Sequence, residues 1–167
     1  MLLNTIEELS TTIGKFLIKH NMKLSVAESC TGGLLGASLT DIAGSSAYFR
    51  GGVIAYDNQI KHQLLDVEEP VLDRYGAVSK QTVIAMAKGV CKLFNTECAI
   101  SVSGIAGPGG GTAQKPVGLV FIGIAICDKL ESIRYIFSGN RQQVRLQTVQ
   151  ASLEQFLRMA DQLDPPQ

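Results

Sequence analysis

Val26-Ala27-Glu28-Ser29-Cys30-Thr31-Gly32-Gly33 is the stretch from which the rest of the chain can be read. An apolar, strand-like run ends in a carboxylate and two hydroxyls. A Gly-Gly pair and an apolar, helix-like segment follow at once. A strand that delivers polar groups to a glycine-rich helix start is a common frame for an anion or amide site. Gly44-Ser45-Ser46 repeats that logic, and so does Ser101-Val102-Ser103-Gly104-Ile105-Ala106-Gly107-Pro108-Gly109-Gly110-Gly111. Three such segments in one short chain point to one shared pocket.

Upstream of the opening stretch, Thr5 and Glu8 have capping-box spacing, and Ile6, Leu9, Ile13, Phe16 and Leu17 recur on one helical face. Residues 23–27 read as a strand and residues 32–42 as a second helix. Downstream, the patterns predict a strand over 51–56, a short helix over 58–65 and a helical turn over 71–76. Ser79 caps a long helix whose apolar face carries Val83, Met86, Ala87, Val90 and Phe94. Residues 97–102 are apolar and β-branched, as in a buried strand. Residues 117–127 and 132–137 read as a hairpin across a polar turn at 128–131. Asn140 caps a last helix, and Asp164-Pro165-Pro166-Gln167 is a frayed tail. Strands alternating with helices, then a hairpin, predict one domain over residues 1–167. Its expected class is α/β, a three-layer α/β/α sandwich with a mixed sheet.

The chain has 167 residues, 46% hydrophobic and 18% charged, a balance that supports one sizeable core. Fifteen basic residues offset fifteen acidic ones, and tryptophan is absent. This disfavours a broad nucleic-acid face or extended base stacking. Four cysteines without a Cys-x-x-Cys pair, and only two histidines, supply little for a zinc site. Cys91, Cys98 and Cys127 lie in apolar runs and read as buried thiols, while Cys30 lies inside the opening stretch. No signal-peptide pattern stands at the amino terminus, and the longest apolar run is too short to span a bilayer. A cytoplasmic protein without a membrane partner is expected.

The glycine loop at 104–115 matches neither common phosphate fingerprint. Lys115 precedes Pro116 rather than Ser or Thr, and Thr112 stands where a dinucleotide motif needs glycine. Its backbone N–H groups can still cradle an oxyanion or phosphate. Arg141 and Arg145 share one helical face, with Arg141 in the first turn, where an anionic ligand would offset the unfavourable dipole. A serine nucleophile requires a base. Lys61, on the helix after Tyr56, is the candidate base for Ser46, and its pKa must then fall from about 10.4. His62 is a rival base, pointing about 100° away on the same helix.

These residues carry a resemblance. Ala27-Glu28-Ser29-Cys30-Thr31-Gly32-Gly33, Asp41-Ile42-Ala43-Gly44-Ser45-Ser46, Tyr56 with Asn58 and Lys61, Gly76-Ala77-Val78-Ser79, the loop from Ser103 to Gly111 and Lys115-Pro116-Val117-Gly118 resemble the CinA carboxy-terminal domain family. The likeness covers roughly residues 5–160. It implies a nicotinamide-nucleotide amidohydrolase, converting nicotinamide mononucleotide to nicotinate mononucleotide and ammonia in pyridine nucleotide salvage. It also implies a stand-alone form, a small-molecule nucleotide as partner, and no cofactor or metal. Ser46 is then expected as nucleophile, Lys61 as general base and Tyr56 as assistant. Ser29, Thr31, Gly32, Ser45, Ser103, Gly104, Gly107 and Gly109 are expected to line the substrate pocket. Arg141 or Arg145 would meet the phosphate. Asp57 departs from the serine that many relatives carry there, and a carboxylate so placed raises the lysine pKa. A non-catalytic nucleotide-binding module is the alternative. Apolar helix faces are compatible with a homodimer or higher homo-oligomer.

Overall fold

The protein is described by a computed structural model over residues 5–163, so the tail at 164–167 lies outside the described residues. Five strands form one sheet in the order β2-β1-β3-β4-β5. They are β1 (Leu24–Glu28), β2 (Phe49–Ile54), β3 (Cys98–Gly104), β4 (Leu119–Ile126) and β5 (Lys129–Ile136). β1 runs parallel to β2 and β3, whereas β3-β4 and β4-β5 are antiparallel. The sheet is therefore mixed, as the pattern of elements predicts.

Strand alternation sorts the side chains between two helical layers. Val26, Ile100, Val102, Ile122 and Ile124 face α1 (Ile6–Lys19), α2 (Leu34–Thr40) and α6 (Arg141–Asp161). Ala27, Ala99 and Ala125 face the other layer, α3 (Asn58–Leu65), α4 (Glu69–Tyr75) and α5 (Lys80–Phe94). Small side chains on that face let α5 lie close to the sheet. Gly89 of α5 admits the end of α3: an added Cβ would stand 1.9 Å from the Leu65 carbonyl oxygen. That close contact seats the helix carrying Lys61.

Helix starts follow the expected chemistry. Thr5 with Glu8 and Asn140 with Gln143 form complete capping boxes, and Ser79 caps α5. Two expectations change. The hairpin turn is shorter than 128–131, because Lys129 already pairs with Ile126. Cys127 takes φ +52° and turns the chain with Asp128, which leaves its thiol exposed rather than buried. Cys91 is half-buried, and Cys98 is buried as expected. Among the described residues no helix is long and apolar enough to cross a membrane.

This topology collects the carboxyl ends of β1, β2 and β3 on one edge. In open α/β sheets that edge is the usual place for a ligand crevice.

Candidate active site

A cleft of about 280 Å³ opens at that edge. Ser29 and Cys30 enter it from the end of β1, and Tyr56, Asn58 and Lys61 from the β2–α3 connection. Ala77 and Val78 come from the α4–α5 turn, Ser103 and Gly104 from the end of β3, residues 105–107, 109 and 110 from the glycine loop, and Arg141 from the start of α6. The lining includes two basic side chains, Lys61 and Arg141, and no carboxylate, so the cleft suits an anionic or neutral polar ligand.

Lys61 is the chemical centre of this wall. It is 1% exposed, and its Nζ lies 2.8 Å from the Ala55 carbonyl oxygen, 3.3 Å from that of Tyr56 and 3.1 Å from Ser29 Oγ. Burial pushes its pKa below the ordinary lysine value, against an opposing pull from the Asp57 charge and a smaller one from Cys30. Nζ donates to all three oxygens; on losing a proton it keeps N–H groups for the two carbonyls and has a lone pair to turn to the Ser29 hydroxyl. Asp57 itself caps α3, accepting from the Gln59 N–H at 2.7 Å.

The distance between Ser29 and Lys61 is set by backbone bonds. The Ala55 N–H donates to the Glu28 carbonyl at 2.7 Å, while the Ala55 carbonyl holds Lys61. The Ser29 N–H donates to the Val102 carbonyl at 3.0 Å. One residue just past β2, Ala55, thus ties the hydroxyl to the amine through both of its backbone groups.

The turn after Ser29 is built from inside by Glu28. Its buried carboxylate accepts from Thr31 Oγ1 (2.6 Å) and from the N–H groups of Gly33 (3.0 Å), Leu35 (3.1 Å) and Gly36 (2.8 Å). Three of these four contacts take up N–H groups at the start of α2 that a helix terminus cannot satisfy internally. Gly32 and Gly33 take φ +57° and +100°, the left-handed region in which a side chain is strained.

The structure places the expected site residues unevenly. Ser29, Ser103, Gly104, Gly107, Gly109, Tyr56, Lys61 and Arg141 share the cleft. Ser46 does not: it is exposed on a 3-10 turn (Ser45–Ala47) before β2, and the hydroxyl within reach of Lys61 is that of Ser29. Ser45 is buried on that same turn, away from the cleft lining. Thr31 is fully buried with its hydroxyl committed to Glu28, and Gly32 lies on the outside of the turn. Arg145 spans two backbone carbonyls, with Nε 3.1 Å from that of Cys30 and an Nη 2.7 Å from that of Thr31. Arg141 is the arginine of the cleft, donating to the Gly107 carbonyl at 2.8 Å and reaching the Tyr56 hydroxyl at 3.3 Å.

Ser103 donates to the Ala77 carbonyl (2.8 Å) and Lys115 to that of Tyr75 (2.6 Å), so the glycine loop is tied to the α4–α5 turn. The Cys30 thiol is pushed up to about 12 by burial, which leaves it protonated and inert beside Ser29. Asn58, which the motif around Tyr56 and Lys61 contains but to which no site role is assigned from sequence, also lines the cleft. Its position three residues before Lys61 puts both on one helical face, a signal present in the spacing.

Comparison with known proteins places this geometry. The CinA C-terminal domain model matches residues 6–160. A CinA-like protein from Endomicrobium trichonymphae is 49% identical over 89% of this chain, and a putative competence-damage inducible protein from Desulforudis audaxviator is 48% identical over 85%. The chain spans about a third of the length of each (35% and 34%). The nicotinamide-nucleotide amidohydrolase PncC of Enterobacter agglomerans is 49% identical over 92% of this chain and 94% of its own length. The crystal structure of the competence/damage inducible protein CihA from Agrobacterium tumefaciens superposes with a TM-score of 0.90 at 39% identity, covering 95% of this chain and 98% of the other. The family match runs through the β1 turn, the glycine loop and α6 up to residue 160, and the chain belongs to the CinA C-terminal domain family.

Proposed function

We propose that this protein is an amidohydrolase acting on the carboxamide of a nicotinamide nucleotide, with nicotinamide mononucleotide as substrate and Ser29 as nucleophile. The observation that carries the reading is the buried lysine amine, depressed in pKa, 3.1 Å from the Ser29 hydroxyl inside a cleft without carboxylates. The name of the Enterobacter agglomerans relative supplies the substrate class.

In this scheme Lys61 Nζ takes the Ser29 proton as Oγ attacks the amide carbon. The tetrahedral intermediate collapses as the C–N bond breaks, and Lys61 passes the proton to the departing nitrogen, which leaves as ammonia. Water then attacks the acyl ester, giving its proton to Lys61. Collapse releases the carboxylic acid and returns the proton to Ser29 Oγ. The developing oxyanion is stabilised by backbone N–H groups of the β1 turn and glycine loop. Arg141 holds the phosphate at the cleft mouth, where the start of the 21-residue α6 adds its dipole. Tyr56, two-thirds exposed and in contact with Arg141, closes over the bound nucleotide.

The test is ammonia release from nicotinamide mononucleotide by the purified protein, with Ser29→Ala as control. Saturable release that disappears in the variant supports the reading. Saturable binding without ammonia would instead make the protein a nucleotide-binding module.

A further inference from the structure

Arg145 stands apart from the cleft. Its guanidinium lies against the outside of the Ser29 turn and spans the carbonyls of Cys30 and Thr31, the two residues that follow the hydroxyl. It reaches them from α6, 114 to 115 residues away in sequence. An added Cβ on Gly32 would meet the guanidinium at 3.4 Å, so the fork lies in contact distance of the turn. On the inner side Glu28 takes up Thr31 Oγ1 and the N–H groups that follow. The turn is therefore held from both sides: an internal carboxylate gathers its donors and an external guanidinium gathers its acceptors.

We propose that Arg145 is a positioning residue, which fixes the backbone of the turn so that Ser29 Oγ faces Lys61, and that it takes no part in holding the substrate anion. This rests on the reading of Ser29 as nucleophile. The division of labour between the two arginines follows from their partners. Arg141 faces the cleft from the first turn of α6. Arg145, one helical turn later, has two nitrogens engaged by turn carbonyls and is absent from the cleft lining. A planar fork with fixed N–H directions suits two successive carbonyls, whereas a lysine ammonium serves them only as a mobile point charge. A nucleophile displaced by about an ångström loses attack geometry without losing affinity for substrate.

The readout that isolates this role is acylation of Ser29 by a small neutral ester, p-nitrophenyl acetate, which carries no phosphate. The burst of p-nitrophenolate is followed with Ser29→Ala as blank. Arg145→Ala is expected to slow the burst by at least tenfold at unchanged burst amplitude, Arg145→Lys to recover part of the loss, and added guanidinium ion to rescue Arg145→Ala but not Arg145→Lys. With nicotinamide mononucleotide the same variant lowers kcat and leaves KM within about twofold. A wild-type burst rate in Arg145→Ala together with a raised KM for the nucleotide would overturn the proposal and make Arg145 a substrate ligand. A loss confined to burst amplitude would also overturn it, since fewer folded molecules would explain it. If the unsubstituted protein shows the Ser29-dependent burst but never releases ammonia, the amidohydrolase reading fails while the positioning role stands. Absence of any Ser29-dependent burst overturns the positioning role.

Discussion

The Ser29 turn and the Ser46 turn use the same residue types in different settings. Each joins small residues, serines and a glycine of positive φ, +100° at Gly33 and +84° at Gly44, to the start of a short helical segment. Ser29 follows a strand buried along its full length and lies at the floor of a cleft. Ser46 follows the end of α2 and faces solvent. Ser46 is the nearer of the two to Lys61 in sequence, yet the hydroxyl that meets the amine is the more distant one. Parallel pairing explains this. Glu28 registers with Ile54, so the residue after β1 stands beside the start of the β2–α3 connection. A local hydroxyl becomes a candidate nucleophile through the base that topology brings to it.

The sharpest break between the two turns is substitution of each serine. Ser29→Ala is expected to lower kcat for ammonia release by at least about 10⁴-fold, the scale for losing a covalent nucleophile. Ser46→Ala is expected to stay within about twofold, since Ser46 is exposed and outside the cleft lining. Steady-state kinetics on the two variants checks both, and the reverse ranking would reinstate Ser46.

Much of this fold is legible in the chain. The capping residues Thr5, Ser79 and Asn140 announce their helices, and the apolar periodicities place the strands within a few residues. Cleft membership was legible for Ser29, Ser103 and the glycine loop, because polar groups at strand ends gather at one sheet edge. Pairings across the fold were not. Nothing in the spacing of Arg141 and Arg145 says that one faces the cleft and the other grips carbonyls. Nor does Thr31 reveal that its hydroxyl serves Glu28. Such contacts depend on the register of elements distant in sequence, to which local patterns are blind.

Lys61 gives the next largest effect. Lys61→Met is expected to cost about 10³-fold or more in kcat, as removal of a general base does. It should also change how stability depends on pH. Because burial lowers the folded pKa of Lys61, the folded state binds its proton less readily than the unfolded chain. Below the folded pKa the protein bears the full penalty of a buried ammonium. Stability therefore rises as pH climbs through that value towards the ordinary value of about 10.4, then levels off. In Lys61→Met that rise should vanish, with higher stability on its acid side. Urea melts across the alkaline range read the difference, and an unchanged slope would mean that Lys61 ionises in the fold as it does in water.

Arg141 sharpens the comparison between the two arginines. Arg141→Ala is expected to raise KM for the nucleotide by about 10- to 100-fold, the worth of a charge-assisted hydrogen bond or two, with a smaller change in kcat. The corresponding nucleoside without phosphate should show almost none of that loss. If the variant weakens both substrates equally, Arg141 acts through Gly107 and Tyr56, whose contacts it also makes, and the phosphate is held elsewhere.

The smallest effect belongs to Asp57, where electrostatics and capping can be separated. Its carboxylate caps α3 and also pulls the Lys61 pKa upward, against the stronger effect of burial. Asp57→Ser keeps a capping oxygen and removes the charge, so the amine should titrate lower and the acid limb of kcat/KM should move to lower pH. Asp57 is exposed, so the shift should be small and shrink with added salt. Asp57→Ala should move the limb equally and in addition lose about 1 kcal/mol of stability with the cap. A limb that stays fixed in Asp57→Ser would show that the acid-side group is not Lys61. A limb that moves in Asp57→Ala alone would assign the effect to the frame of α3. Only a shift common to both, sensitive to salt and separate from stability, identifies the charge of Asp57 acting on the amine that faces Ser29.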